Sequence, residues 1–137
     1  MKQFLRLLLP LLAIGLGVFS CIFEEDDHED CTCALYFASV SFHVFDAGYK
    51  PATNFVLTIT NERTDEKYNV TQPAHDDGLY HALNDSFTRR IEANGDPILV
   101  HGEDGARLFD ARFVIATDDC RCHVHKVSGP DTVVVQG

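Results

Sequence analysis

Two short cysteine motifs bracket the part of the chain that decides its fold, Cys31-Thr32-Cys33 near the start and Cys120-Arg121-Cys122-His123-Val124-His125 near the end. Between them the sequence alternates short apolar runs with polar turns. Residues two apart on a strand point to the same face, so each Cys-x-Cys pair could meet the other across neighbouring strands. The motifs therefore predict one domain, residues 31–137, whose two ends are joined.

The segment that follows the first cysteine motif has a clear two-residue period. Its apolar positions are Tyr36, Ala38, Val40, Phe42 and Val44. This alternation is typical of a half-buried strand. Turn residues separate further short runs at 55–60, 67–71, 79–82, 86–93, 98–100, 107–117, 120–127 and 132–135. About seven strands, spaced by roughly ten residues, predict a single all-β sandwich of the transthyretin-like or immunoglobulin-like kind.

Residues 1–20 have the features of an export leader. A positive segment, Met1-Lys2-Gln3-Phe4-Leu5-Arg6, precedes an apolar run over 7–19. That run is shorter than the roughly 20 residues that a membrane-spanning helix needs, and it fits a signal peptide. Its end, Val18-Phe19-Ser20-Cys21, resembles the lipobox of bacterial lipoproteins, although Phe19 departs from the usual small residue. The resemblance implies lipidation (palmitate) of Cys21 and removal of residues 1–20. The alternative is a plain signal peptide with an incidental cysteine.

Residues 21–30 predict an acidic tether between the leader and the domain. They read Cys21-Ile22-Phe23-Glu24-Glu25-Asp26-Asp27-His28-Glu29-Asp30. Like charges repel, so such a run stays extended in water. In Gram-negative lipoproteins, Ile22 rather than aspartate after the cysteine implies delivery to the outer membrane. The acidic cluster also resembles the surface-export signal of Bacteroidetes-type lipoproteins. We therefore expect a cell-envelope protein held on the outer membrane by lipid on Cys21. The acidic cluster predicts exposure at the cell surface, and the alternative is a spacer.

The charge of the chain argues against nucleic-acid binding. The formal net charge is −10, and residues 1–20 contain two of the 11 basic side chains, Lys2 and Arg6. The remaining chain is therefore still more acidic, and such a surface repels phosphate backbones.

A second resemblance concerns the turns of the domain. Val44-Phe45-Asp46-Ala47-Gly48-Tyr49-Lys50-Pro51-Ala52, followed by the strand at Phe55, resembles the opening of carboxypeptidase regulatory-like domains. Asp77-Gly78-Leu79-Tyr80 resembles the Asp-Gly-x-Tyr turn in the middle of those domains. The ending, Asp119-Cys120 with Cys122-His123-Val124, is similar to small bacterial lipoproteins grouped with them. The resemblance covers most of residues 34–127. It implies a small transthyretin-like β-sandwich without catalytic residues of its own.

The four cysteines of the domain admit two chemistries. In an exported protein they predict two disulfides. A bridge within one Cys-x-Cys would be strained, which leaves Cys31–Cys120 with Cys33–Cys122, or the crossed pairing. Both motifs lie at the beginnings of predicted strands, which favours the first arrangement and leaves the second open. The alternative is a four-thiolate metal site, but zinc sites usually keep two or more residues between paired cysteines.

His123 and His125 are the candidate metal ligands of the sequence. They lie two apart, and two imidazoles on one strand face can chelate Zn²⁺ or Cu²⁺. The alternative interpretation is a polar, solvent-facing side of a strand.

The sequence indicates binding rather than catalysis. No Gly-rich phosphate loop and no Ser/His/Asp arrangement stands out. We therefore expect a non-enzymatic envelope lipoprotein without a cofactor, whose sandwich binds a protein or glycan partner or supports an assembly. The candidate binding loops are 46–51, 72–78 and 102–105. Two alternatives are a metal-binding envelope protein using His123 and His125, and an accessory domain of a surface hydrolase system.

Overall fold

The computed structural model describes residues 31–72 and 76–136. The predicted leader, the acidic tether and Cys21 lie outside the described residues. The elements are β1 (Ser39–Asp46), β2 (Val56–Asn61), β3 (Glu66–Tyr68), β4 (Leu79–Asn84), a 3₁₀ helix (Asp85–Arg90), β5 (Asp96–Glu103), β6 (Leu108–Thr117), β7 (Val124–Ser128) and β8 (Thr132–Val135). In the described part of the chain, no helix is both long and apolar enough to cross a bilayer.

The strands form two sheets, which confirms the predicted all-β sandwich. The three-stranded sheet has the order β4-β1-β8, and the five-stranded sheet has the order β3-β2-β5-β6-β7. Only the β1–β8 pair is parallel among the strand pairs of the described residues. A parallel neighbour requires a crossover, and here the chain passes through the whole five-stranded sheet before β8 returns to β1.

The core between the sheets follows from the two-residue period of β1. Val40, Phe42 and Val44 are buried, as their alternation predicts. The ring centroid of Phe42 lies 5.3 Å from that of Phe113 and 6.1 Å from that of Phe109, both on β6 of the other sheet. Such aromatic contacts stabilise a core beyond the apolar area that they bury.

The predicted start of the first strand and the predicted strand at 86–93 are wrong. The first strand begins at Ser39, so Tyr36 and Phe37 precede it and are exposed. The run at 86–93 is not a strand, because Asp85–Arg90 forms a 3₁₀ helix. The side chain of Asn84 accepts a hydrogen bond from the Ser86 N–H and caps that helix. Asparagine is a preferred N-cap because its short side chain satisfies an amide that the helix leaves unpaired.

The strand registers define two ends of the sandwich. Ser39 at the start of β1 pairs with Asn84 at the end of β4, and Thr117 at the end of β6 pairs with Val124 at the start of β7. We call the end where these residues and the cysteines lie the disulfide end. We call the other end, which holds the turns after β1, before β4 and between β5 and β6, the turn end.

Candidate functional site

The four cysteines form two disulfides, Cys31–Cys120 and Cys33–Cys122. The Cα–Cα distances are 5.6 and 5.4 Å, and each bridge spans 89 residues. The two predicted disulfides are therefore confirmed, and the structure shows the uncrossed one of the two pairings that the sequence left open. The four sulfur atoms are then not thiolates that could bind a metal ion. The expectation that the cysteines lie on strands is wrong. One motif precedes β1 and the other lies in the turn between β6 and β7.

The turn between β6 and β7 is held by Asp118. Its carboxylate accepts hydrogen bonds from the backbone N–H of Cys122 at 2.6 Å and of His123 at 3.1 Å. The Arg121 N–H donates to the Asp118 carbonyl oxygen at 2.9 Å, and Arg121 has a positive φ of 53°. The positive φ reverses the chain within the motif, so a turn rather than a strand face brings Cys120 and Cys122 to their partners.

Asp85 connects three segments at the disulfide end. Its carboxylate accepts the Ala38 N–H at 2.7 Å, the Val124 N–H at 2.8 Å and a hydrogen bond from His123 Nδ1 at 2.8 Å. Burial alone would raise the pKa of Asp85, but these hydrogen bonds outweigh it and hold the pKa below its ordinary value. Asp85 therefore joins the start of β1 to the start of β7 as an ionised group.

His123 is part of this connection rather than an open ligand. Its side chain is only 13% exposed, and its ring stacks on that of Tyr36 with the centroids 4.0 Å apart. Nδ1 faces Asp85, while Nε2 is buried and has no hydrogen-bond partner in the part of the chain that the structure describes. His125 is exposed on β7. The described residues contain no group of three or more His, Cys, Asp or Glu side chains that could hold a metal ion.

A second buried carboxylate, Asp96, also lies at the disulfide end. Asp96 is fully buried, and Arg63 donates to both of its oxygens, from Nε at 2.5 Å and from Nη2 at 2.9 Å. The Asn61 side-chain amide donates to Asp96 at 2.7 Å and to the Tyr68 hydroxyl at 3.1 Å. Burial would raise the pKa of Asp96, but the hydrogen bonds from Arg63 and Asn61 lower it overall. This cluster ties β2, β3 and β5 together.

The turn end brings the three predicted binding loops together, apart from residues 73–75, which lie outside the described residues. Gly78 has φ +74°, and a Cβ there would lie 2.5 Å from the Val44 carbonyl oxygen and 3.3 Å from the Pro51 Cα. The turn before β4 therefore packs directly on the loop after β1. The Tyr80 hydroxyl strengthens this contact, because it donates to the Ala52 carbonyl and accepts the Phe55 N–H, both at 3.0 Å.

Two carboxylates of these loops, those of Asp46 and Asp104, are bound within their own turns. Asp46 accepts the N–H groups of Gly48 and Lys50 at 2.8 and 3.0 Å. Asp104 accepts hydrogen bonds from the Arg107 guanidinium, and these hydrogen bonds lower the pKa of Asp104. The same guanidinium lies over the Phe55 ring. What the turn end exposes instead are three large apolar side chains, Tyr49, Val56 and Leu108.

Val56 and Leu108 belong to one row on the outer face of the five-stranded sheet. Val56 pairs with Glu103, and Glu103 pairs with Leu108. Directly opposite residues have Cβ atoms about 5 Å apart, so the carboxylate lies between two exposed aliphatic side chains. The next row contains His101 and Asp110, whose Nδ1 and Oδ1 atoms are 2.7 Å apart. The arrangement is a mixed apolar and acidic surface.

The sequence did not indicate Asp85, Asp96 or Asp118 as site residues. Asp85 follows Asn84 and Asp96 follows Gly95, and both dipeptides carry the composition of an ordinary turn. The only available signal for Asp118 was its position two residues before Cys120. For none of the three do the neighbouring residues in the sequence indicate which hydrogen-bond donors its carboxylate will contact in the fold.

No family model, no curated protein and no solved structure matches this chain.

Proposed function

We propose that the protein is a lipid-anchored, non-enzymatic protein of the cell envelope whose sandwich is a binding or assembly module. The proposal includes a lipid on Cys21, delivery to the outer membrane, and a transthyretin-like domain of the carboxypeptidase regulatory-like kind. The leader and the turn motifs of the sequence support these features. The structure supports a domain in which the disulfide end is attached to the tether and the turn end binds the partner.

The observation that carries the proposal is the placement of the disulfides. Both bridges tie the segment that follows the tether to the same end of the sandwich. Strands β1 and β5 then run to the turn end, where Tyr49, Val56 and Leu108 are exposed. A domain that is anchored at one end presents its other end to a partner. Loops and rims supported by a rigid sheet are common places for binding.

The charge of the turn end favours a partner that carries positive charge beside apolar groups. The Glu103 carboxylate has no hydrogen bond or ion pair with any described residue, and it lies between Val56 and Leu108. Exposed apolar side chains rimmed by polar groups are typical of interaction surfaces. A protein segment with a lysine or arginine between apolar residues would match this row, and a neutral glycan would use mainly Tyr49.

Site-specific photo-crosslinking in the producing cells tests the binding role. A photo-reactive amino acid replaces Tyr49 at the turn end in one variant and Thr64, which is exposed at the disulfide end, in another. We expect a discrete cross-linked product from position 49 that is absent from position 64. Equal or absent products from both positions, in protein that reaches the envelope, would contradict a partner at the turn end.

A further inference from the structure

Three consecutive apolar residues are exposed at the disulfide end. Leu35 is fully exposed, and Tyr36 and Phe37 are 62% and 64% exposed. Single exposed apolar residues are common on protein surfaces, but an exposed run of three is not, unless it contacts something. We call residues 35–37 the apolar segment.

The apolar segment is held in place on both sides. Cys33 binds it to Cys122 on one side, and the Ala38 N–H donates to Asp85 on the other. One face of the Tyr36 ring stacks on His123. The disulfide, the hydrogen bond and the ring contact cover only part of the Tyr36 surface. The segment therefore holds Leu35 and Phe37 exposed at a fixed position.

The position of the apolar segment relative to the tether indicates what covers it. Leu35 follows Cys31 by four residues, and Cys31 follows the acidic tether directly. Ten residues from Cys21 to Asp30 reach at most about 35 Å when fully extended. If Cys21 carries lipid, the tether holds Cys31 within this distance of the membrane, and the apolar segment begins only four residues further along the chain.

We infer that the apolar segment docks onto the lipid bilayer surface, with Leu35 and Phe37 in the interfacial region. This inference rests on the proposed lipid anchor. Aromatic and aliphatic side chains at the headgroup level bury apolar area, and tyrosine keeps its hydroxyl in water there. Tethering adds a high local concentration of lipid, which favours a contact that three residues alone would make weakly. The docked domain would direct its turn end away from the membrane.

Tryptophan fluorescence provides a direct test, because the chain contains no tryptophan. Leu35→Trp places one probe in the apolar segment, and Tyr49→Trp places a matched probe on the exposed turn end. Both are made in the mature lipidated protein and reconstituted into zwitterionic vesicles whose acyl chains carry bromine, a contact quencher. Zwitterionic lipid avoids repulsion between anionic headgroups and the acidic tether.

We expect the brominated lipid to quench most of the tryptophan emission of the Leu35→Trp variant, and we expect the emission maximum of this variant to shift to the blue. The Tyr49→Trp variant should emit as it does in unbrominated vesicles. Equal emission from the Leu35→Trp variant in both kinds of vesicle would overturn the inference. If the emission maximum of that variant shifts to the blue as the protein concentration rises in the absence of vesicles, the inference is overturned in favour of a contact between two copies of the chain.

The failure of the anchor and the failure of the docking are distinguishable. The mass of the reconstituted protein reports whether Cys21 is acylated. An unmodified Cys21 contradicts the proposed function, whereas acylated protein in which the probe at position 35 is unquenched contradicts only the docking.

Discussion

At the disulfide end, the disulfides and the buried carboxylates of Asp85 and Asp96 join residues that are far apart in sequence. At the turn end, the carboxylates of Asp46 and Asp104 bind groups in their own turns. The disulfides span 89 residues, and Asp85 reaches partners 38 to 47 residues away. Asp46 and Asp104 bind groups two to four residues along the chain. Interactions between residues that are far apart in sequence fix the positions of whole strands, whereas interactions between residues that are close in sequence fix only the shape of a loop.

This difference suits an anchored binding module. In the proposed anchored module, the disulfide end would carry any force from the tether and transfer the position of the tether to the sheets. The turn end can change its side chains with little effect on the fold, because none of its exposed residues holds two strands together. We therefore expect substitutions at the disulfide end to lower the free energy of unfolding, and substitutions at the turn end to change binding.

The largest effect should follow from removing both disulfides. Replacing all four cysteines by alanine should lower the free energy of unfolding by about 4–5 kcal/mol, because a closed loop of nearly 90 residues is opened in the unfolded chain. Removing only Cys33 and Cys122 should cost about 2 kcal/mol or less, because the remaining bridge keeps the long loop closed. Urea unfolding of the three proteins measures both effects. Equal losses from the single and the double removal would contradict this order.

The next effect should come from Asp96. Asp96→Asn keeps the shape of the side chain but removes the charge that two Arg63 nitrogens and Asn61 contact, so we expect a loss of about 2 kcal/mol. Glu92→Gln is the control, since the half-exposed Glu92 carboxylate faces Arg63 at 3.4 Å and Arg121 at 3.7 Å. This variant should stay within about 0.5 kcal/mol of the parent. Urea midpoints that shift equally in both variants would show that the buried carboxylate has no special role.

Acid should weaken the disulfide end. Asp85 and Asp96 have folded-state pKa values below the ordinary value of 3.8 that they regain on unfolding. Their contribution is therefore fully present above about pH 5 and is lost as the pH falls through the lowered folded-state values. The urea midpoint should drop on going from pH 5 to pH 3. It should drop less in the Asp85→Asn, Asp96→Asn double variant, and an equal drop would assign the acid sensitivity to other groups.

The smallest effect on stability should come from the turn end. Tyr49→Ser and Leu108→Ser replace exposed side chains and should change the free energy of unfolding by no more than about 0.5 kcal/mol. Leu108→Ser, combined with the photo-reactive amino acid at position 49, should nevertheless abolish the cross-linked product. A stability loss comparable to that of Asp96→Asn would show that these side chains hold the fold.

The same contrast explains what the sequence could predict. Interactions between residues that are close in sequence can be predicted from the sequence alone. The turns at Asp46-Ala47-Gly48 and Asp77-Gly78 and the alternation of β1 are therefore placed correctly. The two disulfides could be predicted from the four cysteines of an exported protein, but the spacing of the cysteines left two pairings open. The ties that Asp85 and Asp96 make depend on the tertiary fold, and no local pattern encodes them. For the same reason the run at 86–93 looks like a strand, while capping by Asn84 makes its first part a 3₁₀ helix.

The central claim is that one end of this domain is tied to a lipid anchor through Cys21 and two disulfides. The most direct test is the intact mass of the mature protein from membranes, measured after alkylation without reduction. We predict that the chain begins at Cys21, that its mass includes acyl groups at that residue, and that none of the other four cysteines is alkylated. A chain that begins elsewhere with an unacylated Cys21 would contradict the account.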